Sequence, residues 1–514
     1  MLAKVRSCVL HGIDAKEVTV EVDVSFQGLP SFSIVGLPDT AVRESIQRVK
    51  KALANSGFKF PDHRITVNLA PAGMKKEGPS FDLPIALGIL AATEQIDGNN
   101  LHDIFACGEL SLDGNVRPLN GVLSRVSYMK DKGIKKCLLP FENSREAYLV
   151  KDMAIWPVNN LQEAIGVLSG KINTEIPYID FGKTYKPDFH YDIDFSDVKG
   201  HAHIKRGLEI AAAGSHNVLM IGPPGSGKTM LAKRIETILP EMNFDEALES
   251  TKIYSVVGDI SNKEFLIQKR PFRSPHHTIS YSGLIGRSKP PAPGEITLAH
   301  NGVLFLDEFT EFHRDILAML RQPMEDGVVH ISRSSGSVSY PSRFMLIAAM
   351  NPCLCGYFGH PKKECHCTTP MIQRYISKIS GPLLDRIDMH LEVPPLDYKE
   401  LSSDQRPEAS KEIKKRVSKA RSLQEKRYKS KHYKLNALLT TREIQKCCGL
   451  DNEAKELLKL AMAELNLSGR AYDKILKISR TIADLAGISE INAAHIAEAI
   501  GYRSLDRQRM WLSL

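Results

Sequence analysis

A chain of 514 residues with 42% apolar and 25% charged residues is longer than one hydrophobic core normally supports, so about two to four domains are expected. No uninterrupted apolar stretch reaches the roughly eighteen residues of a membrane span, and the longest run, residues 83–92, contains Pro84. The net charge of +8 is modest for this length, and Cys8, His11 and Asp14 after Lys4 and Arg6 do not build the apolar region of a secretion signal, so a cytoplasmic chain with no membrane partner is expected.

Residues 1–170 alternate short apolar runs (18–24, 32–35, 65–69, 83–92 and 137–139) with glycine turns and helix-like stretches. The pattern is α+β and self-contained. Residues 171–191 turn polar and aromatic, with Pro177 and Pro187, as a linker does. A second unit, residues 192–396, carries the motifs described below. From 397 to 514 the periodicity is helical, with amphipathic stretches at 411–429, 441–448, 452–465, 472–485 and 493–501. A small helical bundle should close the chain. No internal repeat or low-complexity tail interrupts this order.

Within the second unit, Gly222-Pro223-Pro224-Gly225-Ser226-Gly227-Lys228-Thr229 fits G-x-x-x-x-G-K-[ST] between an apolar run (218–221) and a helix-like segment (230–239). This is a P-loop: backbone N–H groups at the helix start face the phosphates of ATP, Lys228 neutralises charge on them, and Thr229 offers its hydroxyl to Mg²⁺. About eighty residues later, the apolar run 303–306 ends in Asp307-Glu308, the pattern of a Walker B strand. Asp307 is placed to reach the Mg²⁺ shell and Glu308 to orient the attacking water.

Of nine cysteines, Cys8, Cys107, Cys137, Cys447 and Cys448 are scattered and read as reduced thiols. The other four form Cys353-Leu354-Cys355 and Cys365-His366-Cys367, two C-x-C pairs nine residues apart. In a reducing compartment four thiolates gathered by one turn favour a tetrahedral Zn²⁺ site over disulfides. C-x-C is tighter than the usual C-x-x-C knuckle, so His360 or His366 stands as an alternative to one sulfur, and four free thiols as the alternative to a metal. Residues 411–434 hold eleven Lys or Arg and two acids, with Tyr428 and Tyr433 interleaved, which reads either as a solvated helix or connector or as a nucleic-acid contact.

Taken together these motifs resemble the magnesium-chelatase-like branch of the AAA+ ATPases, and most closely the ComM/YifB family, over nearly the whole chain. The fold this implies is α/β: an AAA+ P-loop core with a C-terminal helical lid, preceded by an α+β Lon-protease-like (S5-like) domain. Ala348-Ala349-Met350-Asn351-Pro352 resembles the sensor 1 strand, with Asn351 positioning the hydrolytic water. Residues 381–388, Gly-Pro-Leu-Leu-Asp-Arg-Ile-Asp, resemble the arginine-finger segment, so the resemblance implies that Arg386 reaches the ATP of a neighbouring subunit. Arg470, after Ser468-Gly469, sits where the family's sensor 2 arginine touches γ-phosphate in the same subunit, and Arg480 competes for that role. A trans arginine contributes about 10³–10⁵ in rate to a loose phosphoryl-transfer transition state, so hydrolysis should require a homo-oligomer, by resemblance a hexameric ring.

Residues 270–278 with 283–294 behind them resemble the helix-2 insert, and residues 328–333 and 337–340 flanking Ser334-Ser335-Gly336 resemble the hairpin before sensor 1. In related helicases these loops line the pore, which makes Arg273, Lys289 and Arg333 candidate DNA contacts. The adjacent His276 and His277 suggest packing or hydrogen bonding rather than a metal. In the first domain Gly78-Pro79-Ser80, residues 108–116 and residues 139–143 resemble the Lon proteolytic domain, with Ser80 at the nucleophile's place. The lysine that should activate it aligns with Leu123, and an apolar side chain cannot accept the serine proton, so a fold without the peptidase dyad is expected, with Lys75 and Lys76 as the only substitutes. A Lon-like fold also serves as a DNA platform in a bacterial branch-migration protein, which makes Lys50, Lys51, Lys75 and Lys76 a candidate electrostatic footprint.

The function implied is an ATP-driven ring that moves single-stranded or branched DNA, a branch-migration helicase of homologous recombination during natural transformation (competence), with recombination proteins as further partners. The alternatives are a chelatase-type ATPase that remodels a partner enzyme and, through Ser80, an ATP-dependent protease.

Overall fold

The computed structural model describes residues 1–27, 29–99, 101–174, 189–260, 265–288, 291–333, 336–396, 402, 407–428 and 435–503. The first domain is built on a seven-stranded mixed sheet from β1 (Leu2–His11), β2 (Asp14–Ser25), β3 (Ser31–Val35), β4 (Arg64–Ala70), β5 (Ile104–Ala106), β8 (Lys136–Pro140) and β9 (Ala154–Val158), in the order β3-β4-β2-β1-β5-β8-β9. The short ribbon β6 (Glu109–Leu110) and β7 (Val116–Arg117) lies apart from it. Period-two alternation explains the sheet's inner face: Val18, Val20, Val22 and Val24 of β2 and Ile65, Val67 and Leu69 of β4 are buried, while the residues between them are less so. Over that face lie the helix Thr40–Asn55, started by the Asp39 carboxylate accepting from the Val42 N–H (2.8 Å), and the wholly buried helix Asp82–Ala92.

The second unit has a five-stranded, all-parallel sheet of β10 (Val218–Ile221), β11 (Phe272–Arg273), β14 (Val303–Leu306), β17 (Met345–Met350) and β18 (Met389–Glu392), ordered β11-β14-β17-β10-β18. Two ribbons project from it, β12 (Gly286–Ser288) with β13 (Pro291–Pro293) and β15 (Val328–Arg333) with β16 (Gly336–Pro341). The helices Ser410–Tyr428, Thr441–Cys447, Asn452–Glu464, Gly469–Ala486 and Ala493–Gly501 form the lid, and one continuous apolar core joins Ile475, Ile478 and Ile482 to Ile204, Leu208, Val218 and Leu391. No helix among the described residues is long and apolar enough to cross a membrane.

The first domain is less self-contained than its sequence suggests. Leu119, Val122, Leu123 and Val126 share a core with Met242, Ala247 and Leu266 of the second unit. Polar contacts close that junction: the Gly121 N–H donates to the Ser255 carbonyl (2.9 Å) and the Ser255 hydroxyl to the Glu146 carboxylate (2.5 Å). The helix Val122–Asp131, which carries Leu123 at the dyad lysine's place, thus packs against the helix Phe244–Val257. Most of the linker, residues 175–188, lies outside the described residues.

Candidate functional site

Strand β10 ends at Ile221, and the P-loop follows at the carboxyl edge of the sheet, where ligands of parallel sheets bind. Two glycines are required by geometry. A β carbon on Gly222 would stand 2.2 Å from the Val393 carbonyl oxygen, and Gly227 turns into the helix Lys228–Ile238 at φ +88°. The buried Lys228 ammonium folds back to donate to the carbonyls of Gly222 (2.7 Å) and Pro223 (2.9 Å) and to Asn351 Oδ1 (3.2 Å). Burial lowers its pKa, and the nearby Asp307 charge opposes that shift. The buried Ser226 hydroxyl has no partner among the described residues.

Because β17 separates β10 from β14, Asn351 at the end of β17 stands between the P-loop and Asp307-Glu308. The Thr229 hydroxyl donates to Asp307 Oδ2 at 2.5 Å, so the two expected Mg²⁺ ligands, both hard oxygen donors, already meet. Glu308 has left-handed backbone (φ +50°, ψ +46°), a conformation non-glycine residues keep mainly where surrounding structure imposes it. Its carboxylate lies 3.1 Å from His277 Nδ1. Beyond it the Thr310 hydroxyl donates to the Tyr375 phenol oxygen (2.6 Å), a link between separate elements with no local sequence signal. The orphaned Ser226 hydroxyl, the inward-turned Lys228 and the paired oxygens suit a polyphosphate with its divalent cation.

Arg386 and Arg470 lie elsewhere. The backbone N–H groups of Asp388 and Met389 donate to the Asn217 carbonyl (2.9 Å each), so the Arg386 segment meets the amino end of β10. The four residues of β10 span roughly 13 Å, and the P-loop sits at the far end. Arg386 pairs with Glu325 and donates to the Pro382 carbonyl (2.7 Å). Arg470 Nη1 is 3.7 Å from Asp385, and both arginines line a cavity of about 590 Å³ that includes no P-loop residue. This corrects the same-subunit placement of Arg470: its pairing with Asp385 holds it at the opposite edge from its own Lys228. Arg480 is buried and held by Asp484 (3.1 Å) and by the Ile488 and Ser489 carbonyls, a structural role that removes it from the competition.

Several candidate DNA contacts change. Arg273 belongs to β11 and makes a two-toothed pair with Glu295 (2.6 and 2.7 Å), which neutralises it as a phosphate ligand in this arrangement. Lys289 lies outside the described residues, and of Arg333 only its place at the end of β15 is described. In the first domain Lys76 is buried, its ammonium donating to the Pro71 carbonyl, and Lys75 pairs with Glu77 (3.0 Å), so Lys76 belongs to no surface footprint. The buried Ser80 hydroxyl has no partner among the described residues, so neither lysine is hydrogen-bonded to it. Within the basic run, Arg416 pairs with Glu209 and Glu408, Arg421 donates to the Ala212 carbonyl (2.7 Å), and Arg427 pairs with Asp484, while residues 429–434 lie outside the described residues.

The four cysteines converge. Sγ of Cys353 lies 3.3 Å from that of Cys355 and 3.7 Å from that of Cys365, Cys355 and Cys365 are 3.6 Å apart, and all four sulfurs lie within 4.8 Å of one another. His360 is not among them; its Nδ1 accepts the backbone N–H groups of Lys362 (3.0 Å) and Lys363 (2.9 Å). The Tyr357 backbone N–H is the largest of the influences that pull the Cys355 thiol below the usual thiol range.

Three family models cover most of the chain: "Magnesium chelatase, subunit ChlI" over residues 194–401, "Subunit ChlI of Mg-chelatase" over 20–143, and "Magnesium chelatase, subunit ChlI C-terminal" over 407–503. YifB of Salmonella typhimurium is 44% identical over 508 residues, 98% of either chain. The competence protein ComM of Haemophilus influenzae is 43% identical over 522 aligned positions, 100% of this chain and 99% of that protein. Lon protease 2 of Bacillus subtilis is 29% identical over 150 residues, 28% of this chain and 26% of that protein. With a P-loop core, a helical lid and a Lon-like front domain in one polypeptide, the chain belongs to the ComM/YifB family of magnesium-chelatase-like AAA+ ATPases.

Proposed function

We propose that this chain is the subunit of an ATP-driven ring, a hexamer by its resemblance, that moves single-stranded or branched DNA in the cytoplasm and drives branch migration during uptake of homologous DNA. The observation that carries the reading is the separation of the P-loop from Arg386 and Arg470 across β10. A subunit with its phosphate cradle at one sheet edge and Arg386 and Arg470, paired there with Glu325 and Asp385, at the other works when copies stack head to tail, and head-to-tail contacts that close make rings. The name of the competence protein ComM supports the competence part of this reading.

In this reading Lys228 leaves the Gly222 and Pro223 carbonyls to hold the β and γ phosphates of ATP. Thr229 and Asp307 hold Mg²⁺, which supplies charge neutralisation on the phosphates. Glu308 and Asn351 orient the attacking water, and Glu308 must part from His277 to do so. Arg386 and Arg470 stabilise the transition state in the neighbour's cleft, the step that makes turnover depend on assembly. The β15–β16 hairpin, with Arg333 at its tip, grips phosphates without reading sequence. The four thiolates hold Zn²⁺.

The test is ATP turnover together with three-strand and four-way junction migration by the purified protein, with Glu308→Gln as control. Turnover stimulated by branched or single-stranded DNA and loss of migration in the control are expected. An ATPase indifferent to every nucleic acid would overturn the DNA assignment.

A further inference from the structure

We propose that the four-cysteine loop is a metal-dependent seat for the nucleotide site, in which Zn²⁺ bound by Cys353, Cys355, Cys365 and Cys367 holds the P-loop and Asn351 in their working positions. The inference rests on the zinc assignment above and not on the DNA assignment.

The sulfur positions suit one metal ion. A tetrahedral Zn²⁺ with Zn–S of about 2.3 Å requires sulfurs about 3.8 Å apart; the sulfurs of Cys353, Cys355 and Cys365 stand 3.3, 3.6 and 3.7 Å from one another, and that of Cys367 lies within 4.8 Å of them. A disulfide requires about 2.05 Å. Two backbone donors already point at sulfur, the Phe358 N–H at Cys353 (3.4 Å) and the Cys355 N–H at Cys367 (3.4 Å), which is how an outer shell holds thiolate charge and orientation. A set made only of thiolates selects Zn²⁺ or an iron–sulfur cluster over hard cations.

The loop has little else to order it. No helix or strand occurs between Met350 and Thr369, Leu354 is 62% exposed, and Cys353 is the one member of the four that is buried. A segment that cannot bury an apolar face draws its folding energy from the metal.

Both ends of the loop run into the ATP site. At one end Cys353 follows Asn351 by two residues, and Asn351 accepts from Lys228. At the other, Cys367 leads into the helix Thr369–Ile376, whose Tyr375 takes the Thr310 hydroxyl just beyond Glu308. Between them Gly356, at φ +83°, lies flat against the P-loop: a β carbon there would be 2.6 Å from Pro224 Cδ and 3.8 Å from Asn351 Cγ. Metal binding therefore fixes three points around the phosphate cradle through one turn of chain, and losing the metal frees all three.

The experiment measures zinc and iron content by mass spectrometry, then fluorescent ATP-analogue affinity and DNA-free ATP turnover. These are read on the purified full chain, on the same protein stripped with a mercurial and chelator, and after Zn²⁺ is returned. One zinc per chain, a loss of nucleotide affinity of about 5- to 150-fold on stripping, and recovery with Zn²⁺ are expected. The variant Gly356→Ala keeps all four ligands and presses on Pro224, so it should retain zinc yet bind nucleotide more weakly. It keeps the test decisive if the stripped protein does not stay folded. Zinc present with nucleotide affinity unchanged both by stripping and by Gly356→Ala would overturn the seat while leaving the metal site. Protein that carries no zinc and takes none up would overturn both.

Discussion

In the proposed mechanism the chemistry turns on Glu308, whose left-handed backbone and contact with His277 define a resting posture. Replacing its carboxylate by an amide keeps the shape and removes the base, so Glu308→Gln should bind ATP normally and lose about 10²–10⁴ in turnover, read by comparing analogue binding with phosphate release. Retained turnover would remove Glu308 from the mechanism. His216 supplies a pH signature. It is fully buried, its ring nitrogen bonds the Thr481 hydroxyl (2.8 Å), and it faces Asp388 at 3.9 Å with Lys474, Lys477 and Arg421 nearby. Burial lowers its pKa from 6.5 to about 4, so the folded chain refuses a proton that the unfolded chain accepts. Above pH 6.5 nothing changes, and below it stability falls as pH falls until about pH 4. Between about pH 7.5 and 5.5 this histidine should cost about 1.4 kcal/mol, seen as a larger drop in unfolding free energy for the native protein than for His216→Asn. An equal drop in both would refute the assignment.

At the scale of elements, the helix Val122–Asp131 bears on the expectation that the first domain lacks a peptidase dyad. Its Leu123 is fully buried in the core shared with Met242, Ala247 and Leu266, so the face that would hold an activating lysine is used to dock the motor. Leu123→Lys should therefore create no peptidase activity and should destabilise the chain by several kcal/mol, because an ammonium would be buried among apolar side chains. Denaturant unfolding and a casein cleavage assay check the two halves; casein cleavage abolished by Ser80→Ala would show that the dyad had been rebuilt. The helix Asp82–Ala92 shows a limit of pattern reading. All eleven residues are buried, so the run carries no periodicity to separate helix from strand. Strand β1 was illegible for a related reason: Ser7, Cys8 and Val9 are buried in succession, which erases the alternation that marked β2 and β4.

Across the whole molecule, the first domain is tied to the motor at a second place. A β carbon on Gly12, in the β1–β2 turn, would stand 2.6 Å from Val338 of the β15–β16 hairpin, and Ile13 packs on the cluster containing Val338 and Tyr340. The front domain thus touches both the helix Phe244–Val257 and the hairpin proposed to grip DNA. The proposed division of the ATP site between sheet edges gives a direct test of assembly. Lys228→Ala subunits lack a working cradle and Arg386→Ala subunits lack the finger, so either alone should be inactive. Mixed in equal amounts they should regain up to about a quarter of native turnover, because about that share of head-to-tail clefts joins an intact cradle to an intact finger. Mixtures that stay inactive while forming mixed rings would sink the shared cleft.

The residues that act through local backbone were readable in the chain. Gly222 to Thr229 and Asp307-Glu308 declare themselves because a phosphate cradle and a strand-end carboxylate pair need fixed residue types at fixed spacing, and the cysteine pairs brought their sulfurs together as their spacing implied. What depended on partners far along the chain was not readable. Arg470 is held by Asp385 and Arg273 by Glu295, and each pairing decides whether a cation faces phosphate or a carboxylate. Sequence fixes which charges exist, but only the packed sheet, by setting its two edges roughly 13 Å apart, decides which of them can reach the same phosphate.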